Sequence, residues 1–166
     1  MRTPDTELIQ RACALLARRE YARSELREKL IRLGAPSQAA ESVVEYLETT
    51  GAQSDRRFTE EYVRIHVDRG EGPLKIIHAL EARGITRERV EVELDRPDAI
   101  WITRAERARV KRFGPNRPMD ADSRERQSHF LLGRGFTPRV VSGLWQGWGL
   151  EILSDANGLE AGPIGC

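Results

Sequence analysis

The chain has 166 residues, 39% of them hydrophobic, enough for one domain with a core, and 32% charged, above the usual quarter or so. No apolar run is long enough for a membrane span and no charged-then-apolar leader opens the chain, so a cytoplasmic location and no membrane partner are expected. The formal net charge of +1 is a cancellation: residues 1–50 are neutral, 51–98 carry −2, 99–150 carry +6 and the last sixteen carry −3, which makes the third stretch the most attractive to a polyanion.

Thr3-Pro4-Asp5 supplies a cap, a proline suited to the first helical turn and an early acid, so a helix is predicted to start there. Leu8, Ile9, Ala12, Cys13, Leu15 and Leu16 recur at helical intervals and predict its buried stripe, Cys13 included. A second helix carries Leu26, Leu30 and Leu33 and stops at Gly34; a third carries Ala40, Val43, Val44 and Leu47 and stops before Gly51. The same order follows twice more. Ser54-Asp55 opens a helix with Phe58, Tyr62, Val63 and His66; Gly70-Glu71-Gly72-Pro73 starts one with Leu74, Ile76, Ile77 and Leu80, ending at Gly84; Thr86 caps one with Val90 and Leu94. From Ile100 and Trp101 a seventh runs to Phe113-Gly114-Pro115, an eighth from near Ser123 to Gly135, and a ninth from Thr137-Pro138 through Val140, Val141, Leu144 and Trp145.

Three segments bring out the internal period: LREKLIRLG from Leu26, IIHALEARG from Ile76 and QSHFLLGRG from Gln127. Leu30, Leu80 and Leu131 align, as do Gly34, Gly84 and Gly135, and Gln127 stands where the other copies have an apolar residue. The prediction is an all-α protein of three tandem three-helix repeats, over 1–50, 51–97 and 98–150, stacked into an elongated, curved, solenoid-like body with a flexible acidic tail over 151–166. Units of about 50 residues bury too little surface to stand alone comfortably, and stacking neighbours is the remedy.

The chemistry is sparse. Phosphate loops, dinucleotide fingerprints and nucleophile elbows are missing. Cys13 and Cys166 have no ligand spacing, and His78 and His129 fall at equivalent repeat positions, which predicts a shared structural role. No catalytic residue, metal or cofactor is therefore assigned. Two basic clusters remain: Arg104, Arg107 and Lys111 on one helical face with Arg109 and Arg112 flanking, and Arg18 and Arg19 followed by Arg23 and Arg27. Both are candidate contacts for DNA or an acidic protein surface, with a solvated helix face as the plain alternative.

The runs ARREYARSELREKLIRLG, SDRRFTEEYVRIHVDRGEGPLKIIHALEARGI and RERQSHFLLGRGFTPRVV resemble the RecX family of bacterial regulatory proteins over residues 7–147. The densest part of the likeness is Asp55, Arg57, Phe58, Tyr62, Val63 and Arg64, followed by Gly70-x-Gly72-Pro73 and Ile76. The resemblance implies a non-enzymatic modulator of the RecA recombinase, lodged along its DNA filament and suppressing ATP hydrolysis, strand exchange and co-protease activity. It also implies a recombinase-facing patch at Arg57, Tyr62 and Arg64. The RecA filament is the expected partner, non-specific single- or double-stranded DNA a second one, and the protein itself is expected to be a monomer. A stand-alone helical DNA-binding module is the alternative. The chain departs from the family pattern at Ala52-Gln53, where larger apolar residues usually stand, at Pro36 in place of a capping threonine, and at His66-Val67.

Overall fold

The computed structural model describes residues 5–157, with side chains as far as residue 147. Among these residues there are nine α-helices and no strand: α1 (Thr6–Leu16), α2 (Arg23–Arg32), α3 (Ser37–Thr49), α4 (Asp55–Asp68), α5 (Pro73–Glu81), α6 (Arg87–Leu94), α7 (Asp98–Phe113), α8 (Ala121–Gly133) and α9 (Pro138–Asn157). The tail expected to be flexible is helical to Asn157, and its remainder lies outside the described residues. Two compact units divide the chain. One holds residues up to Asp68 together with Ile76–Asp95; the other holds Arg69–Lys75 together with the residues from Arg96 onward.

In the first unit the helical stripes close on one another as their spacing predicts. Leu8 and Ala12 of α1, Leu26 and Leu30 of α2, and Ala40, Val43, Val44 and Leu47 of α3 form one buried cluster. Phe58 and Val63 of α4, Ile76, Ile77 and Leu80 of α5, and Val90 and Leu94 of α6 are buried in turn. Two expectations fail here. Cys13 is exposed, because Leu8 and Ala12 already turn the face of α1 inward and Cys13 sits one step of roughly 100° further round. The cap of α1 is Asp5, whose carboxylate accepts from the amides of Glu7 and Leu8; Thr3 and Pro4 lie outside the described residues. Thr86 occupies the cap position of α6 without a side-chain bond, whereas the Thr137 hydroxyl accepts from the Val140 amide at 3.2 Å.

The repeated Leu-x-x-x-Gly is a helix stop. The three glycines have positive φ: +98° at Gly34, +79° at Gly84 and +90° at Gly135. That turn lets the next amide reach back to the repeat leucine, Ala35 to Leu30 O at 3.1 Å, Ile85 to Leu80 O at 3.1 Å and Phe136 to Leu131 O at 3.2 Å. Ile85 and Phe136 then fold inward beside Leu80 and Leu131, all four buried. An L-residue in the left-handed region costs about 1–2 kcal/mol, which is why glycine recurs.

The second unit uses this stop as a seat. Trp101, Ala105 and Ala108 of α7 pack with Leu131, Phe136, Val140, Val141 and Leu144. The start of α5 and the two residues before it lie along the turn after α8: the Gly72 amide donates to Arg134 O at 2.8 Å and the Leu74 amide to Gly135 O at 3.0 Å. The Arg134 guanidinium donates in return to the carbonyls of Gly70 and Arg69. So close is the approach that a Cβ on Gly135 would lie 2.4 Å from Lys75 Cβ and 2.5 Å from its amide nitrogen. Gly34, by contrast, has open space there. Gly34→Ala is therefore expected to cost about 1 kcal/mol and Gly135→Ala roughly 3 kcal/mol or more, read as shifts in the urea midpoint; equal costs would contradict the seat.

Candidate functional site

The basic helix α7 owes its orientation to its buried stripe, and its charges complement the helix dipole: Asp98 in the first turn, Lys111 and Arg112 in the last. Asp98 is also tied to Arg139 at 2.5 Å. Arg104, Arg107 and Lys111, spaced three and four apart, share one side of the helix. Arg104 is half-buried with its guanidinium 4.9 Å from the Trp101 ring, an arrangement that holds the cation in place. Arg107 and Lys111 are exposed and have no ion-pair partner among the described residues. Arg112 lies 5.3 Å from the Phe113 ring, which meets Phe130 edge-on at 5.2 Å.

Arg109, on the same helix, behaves differently. It is 0% exposed, and its guanidinium grips both carboxylate oxygens of Glu106 at 2.7 and 2.8 Å, the Asn116 carbonyl at 3.1 Å and Gln127 Oε1 at 3.2 Å. Gln127 is itself only 8% exposed. The polar residue that broke the third copy of the repeat is thus the buried acceptor for a buried arginine. Such a cation is tolerated in a core because every face of its fork finds an oxygen. The signals for it were Gln127 at an apolar position and Glu106 three residues before Arg109; neither points to the other without the fold.

The second basic cluster is largely consumed by the protein itself. Arg23 reaches Glu41 at 2.6 Å and Glu48 at 2.9 Å, and Arg27 reaches Glu41 at 2.7 Å and the Ser37 hydroxyl at 2.8 Å. Chiefly through the Glu41 hydrogen bond, the Arg23 pKa is raised further, so it stays charged. Arg19 lies 3.6 Å over the Tyr21 ring and contacts Glu25 at 3.3 Å. Arg18 is exposed just past α1 and lacks an ionic partner among the described residues.

The densest family motif falls on α4, yet Arg57, Tyr62 and Arg64 do not form one patch. Arg57 and Arg64, seven apart, share a side, and Tyr62 lies roughly 140° around the helix from the first and roughly 160° from the second. Arg57 is a staple: it donates to Glu20 at 2.8 Å, to Gly51 O at 3.1 Å and to Ala52 O at 2.9 Å. Tyr62 stacks on His66 at 3.9 Å with Arg83 5.1 Å above its ring. Arg64 alone of the three is exposed. Beside them the departure at Gln53 is a polar joint: the buried amide donates to Tyr21 O at 3.1 Å and to Asp55 Oδ1 at 2.9 Å, and Asp55 also accepts from the Arg23 amide at 2.8 Å. Hydrogen bonds here replace the apolar staple.

His78 and His129 are alike in being solvent-facing beside a glutamate, at 3.7 and 3.9 Å, rather than in packing. No cluster of three or more metal-ligating side chains occurs among the described residues, and no described helix is long and apolar enough to cross a membrane.

What the geometry defines is a tandem three-helix protein that ties many of its arginines to its own acids and, on α7, leaves Arg107 and Lys111 to solvent. Models of the first and second three-helix domains of RecX match residues 9–47 and 54–92, that is α1–α3 and α4–α6. Regulatory protein RecX of Halorhodospira halophila is 39% identical over 130 residues, 78% of this chain and 81% of that one; RecX of Pseudomonas entomophila is 35% identical over 145 residues, 86% and 94%. The chain belongs to the RecX family. The crystal structure of RecX from Lactobacillus salivarius has the same fold, with a TM-score of 0.73 at 19% identity over 87% of this chain and 96% of that one. A second RecX crystal structure also gives 0.73, over 84% and 70%.

The coupling of Arg109 to Gln127 makes a double-mutant test possible. Arg109→Met should cost about 2 kcal/mol by leaving Gln127 buried without its donor, and Gln127→Leu about 1 kcal/mol. The pair together should recover most of that loss, since an apolar replacement of a buried polar network is close to neutral. Thermal melts of the four proteins check it, and simple additivity would contradict it.

Proposed function

We propose that the protein is a non-enzymatic inhibitor of the RecA recombinase, binding along the RecA–DNA filament and suppressing its ATP hydrolysis, strand exchange and co-protease activity. Membership of a family of regulatory proteins supports the regulatory role, and the likeness implies RecA as the partner. The observation that carries the rest is the side of α7 with Arg107 and Lys111, whose charges meet no counter-ion among the described residues, flanked by Arg104 held on Trp101. On a protein that pairs Arg23, Arg27, Arg83, Arg87 and Arg109 with its own acids, two unspent cations on one face have an external use. An acidic recombinase surface or DNA phosphate within the filament provides it.

Three tandem three-helix units, 1–50, 51–97 and 98–150, offer several weak contacts on one chain, and linkage of weak contacts raises avidity where the geometry lets them engage together. Arg112 and Arg18 extend the cationic contact, and Arg64 is the member of the α4 motif available to a protein partner. Arg57, and Arg19 in part, serve the fold first, so their substitution is expected to act through stability.

Arg107→Glu together with Lys111→Glu should weaken binding to preformed RecA–DNA filaments by about tenfold or more at moderate salt. Helical content should be unchanged, because both side chains are exposed. Filament co-sedimentation across a salt series, with circular dichroism alongside, measures both. Unaltered binding by the double variant rules out the α7 face, and binding to DNA alone as tight as to the filament favours a DNA-binding module instead.

A further inference from the structure

The helix stops of the second and third copies are both occupied seats. After α5, the Arg83 carbonyl accepts from the Ser24 hydroxyl at 2.5 Å and the Arg83 side chain pairs with Glu25 at 2.9 Å. After α8, the carbonyls of Arg134 and Gly135 accept from the amides of Gly72 and Leu74, and Lys75 lies against Gly135. In each case what sits on the turn is the start of a second helix from the preceding copy, residues 23–25 or 72–75. In repeat register the visitor is the segment just before Leu26 or Ile76, and its last residue, Glu25 or Lys75, stands beside the seat.

The corresponding turn after α2 is open. Leu33, at the position of Arg83 and Arg134, is 48% exposed, and nothing lies within 4 Å of where a Cβ on Gly34 would be. The carbonyls of Leu33 and Gly34 accept no hydrogen bond from the described residues. Beside them is a cavity of about 160 Å³ lined by Asp5, Glu7, Leu8, Leu33, Gly34 and Pro36 among others. Like the carbonyls that receive Ser24, Gly72 and Leu74, those of Leu33 and Gly34 are placed to accept from a neighbouring helix.

The chain also carries the unmatched visitor. In the third copy the equivalent segment is Ser123-Arg124-Glu125-Arg126, in the first two turns of α8, where the Ser123 amide donates to the cap Asp120, Arg124 to Arg126 are exposed, and Met119 ahead of them is 95% exposed. Register places Arg126 where Glu25 and Lys75 stand, hence beside Gly34 and the acids Asp5 and Glu7; Glu7 pairs with Arg11 at 2.5 Å, and with Arg11 also lining the cavity the acids still outnumber the base there by one. The charges are complementary. We infer that the open turn after α2 receives the start of α8 from a second copy of this chain, so that copies associate head to tail. A contact between two different surfaces of one protein leaves each copy with a free seat and a free visitor, so association continues beyond the dimer into rows or rings. One helix start on one turn is a small interface, so the association is weak in dilute solution and the free protein is a monomer at micromolar concentration.

Sedimentation velocity of the full chain up to about 1 mM tests this. The wild type should pass from monomer to larger species as concentration rises. Leu33→Asp and Arg126→Glu should each weaken association tenfold or more, and Glu7→Arg combined with Arg126→Glu should restore it; circular dichroism verifies that each variant is folded. A wild type monomeric throughout overturns the inference and leaves the seat to a helix start of another protein. Association untouched by Leu33→Asp and Arg126→Glu overturns it too, and failure of the charge exchange to rescue overturns the register.

Discussion

Each middle helix of this protein ends by bending its backbone through a left-handed glycine, so that the following amide returns to the carbonyl of the repeat leucine. The geometry does two jobs at once. It buries Leu30, Leu80 or Leu131 against the residue after the glycine, which closes the three-helix core. It also turns the carbonyls at the stop outward, where Arg83, Arg134 and Gly135 present them to the start of another helix. Core closure and joint formation therefore depend on the same backbone turn. At Gly135 the requirement is doubled, since both φ and the nearness of Lys75 exclude a side chain.

This interaction was legible in the sequence because it is local: the leucine, the glycine and the apolar residue after it lie within six positions of one another. The nine helices were legible for the same reason, their apolar spacing and most of their breaks being short-range signals. Cys13 misled because a spacing of four or five identifies the edge of a stripe as readily as its centre, and only the partners of α1 decide which face is covered. The arginines were opaque for another reason. Arg23 and Arg27 look like a basic cluster beside Arg18 and Arg19, yet the acids that neutralise them, Glu41 and Glu48, come from the next helix. Arg109 looks like one more cation on a basic helix and is the most deeply buried polar group of its unit.

Sorting charges by what they touch changes the functional reading more than any new motif does. The charge of the third stretch is not evenly available, since Arg109 is buried on Glu106 and Arg139 is tied to Asp98. On α7 what faces solvent is narrow: Arg107 and Lys111 side by side, with Arg104 over the Trp101 ring. A narrow cationic face suits a regulator that settles on an existing assembly, where many modest contacts add. Base-specific readout would demand a wider set of donors aimed at one groove. The same economy holds on α4, where Asp55 and Arg57 brace the turn before the helix, Phe58 and Val63 are buried, and Arg64 stays exposed.

The most direct measurement is DNA-stimulated ATP hydrolysis by the cognate RecA while this protein is titrated in, with binding to DNA alone followed in parallel. A filament inhibitor predicts loss of hydrolysis well below one molecule per recombinase protomer, at concentrations where DNA alone is not bound. Undiminished hydrolysis up to a clear molar excess, with DNA binding intact, would contradict it.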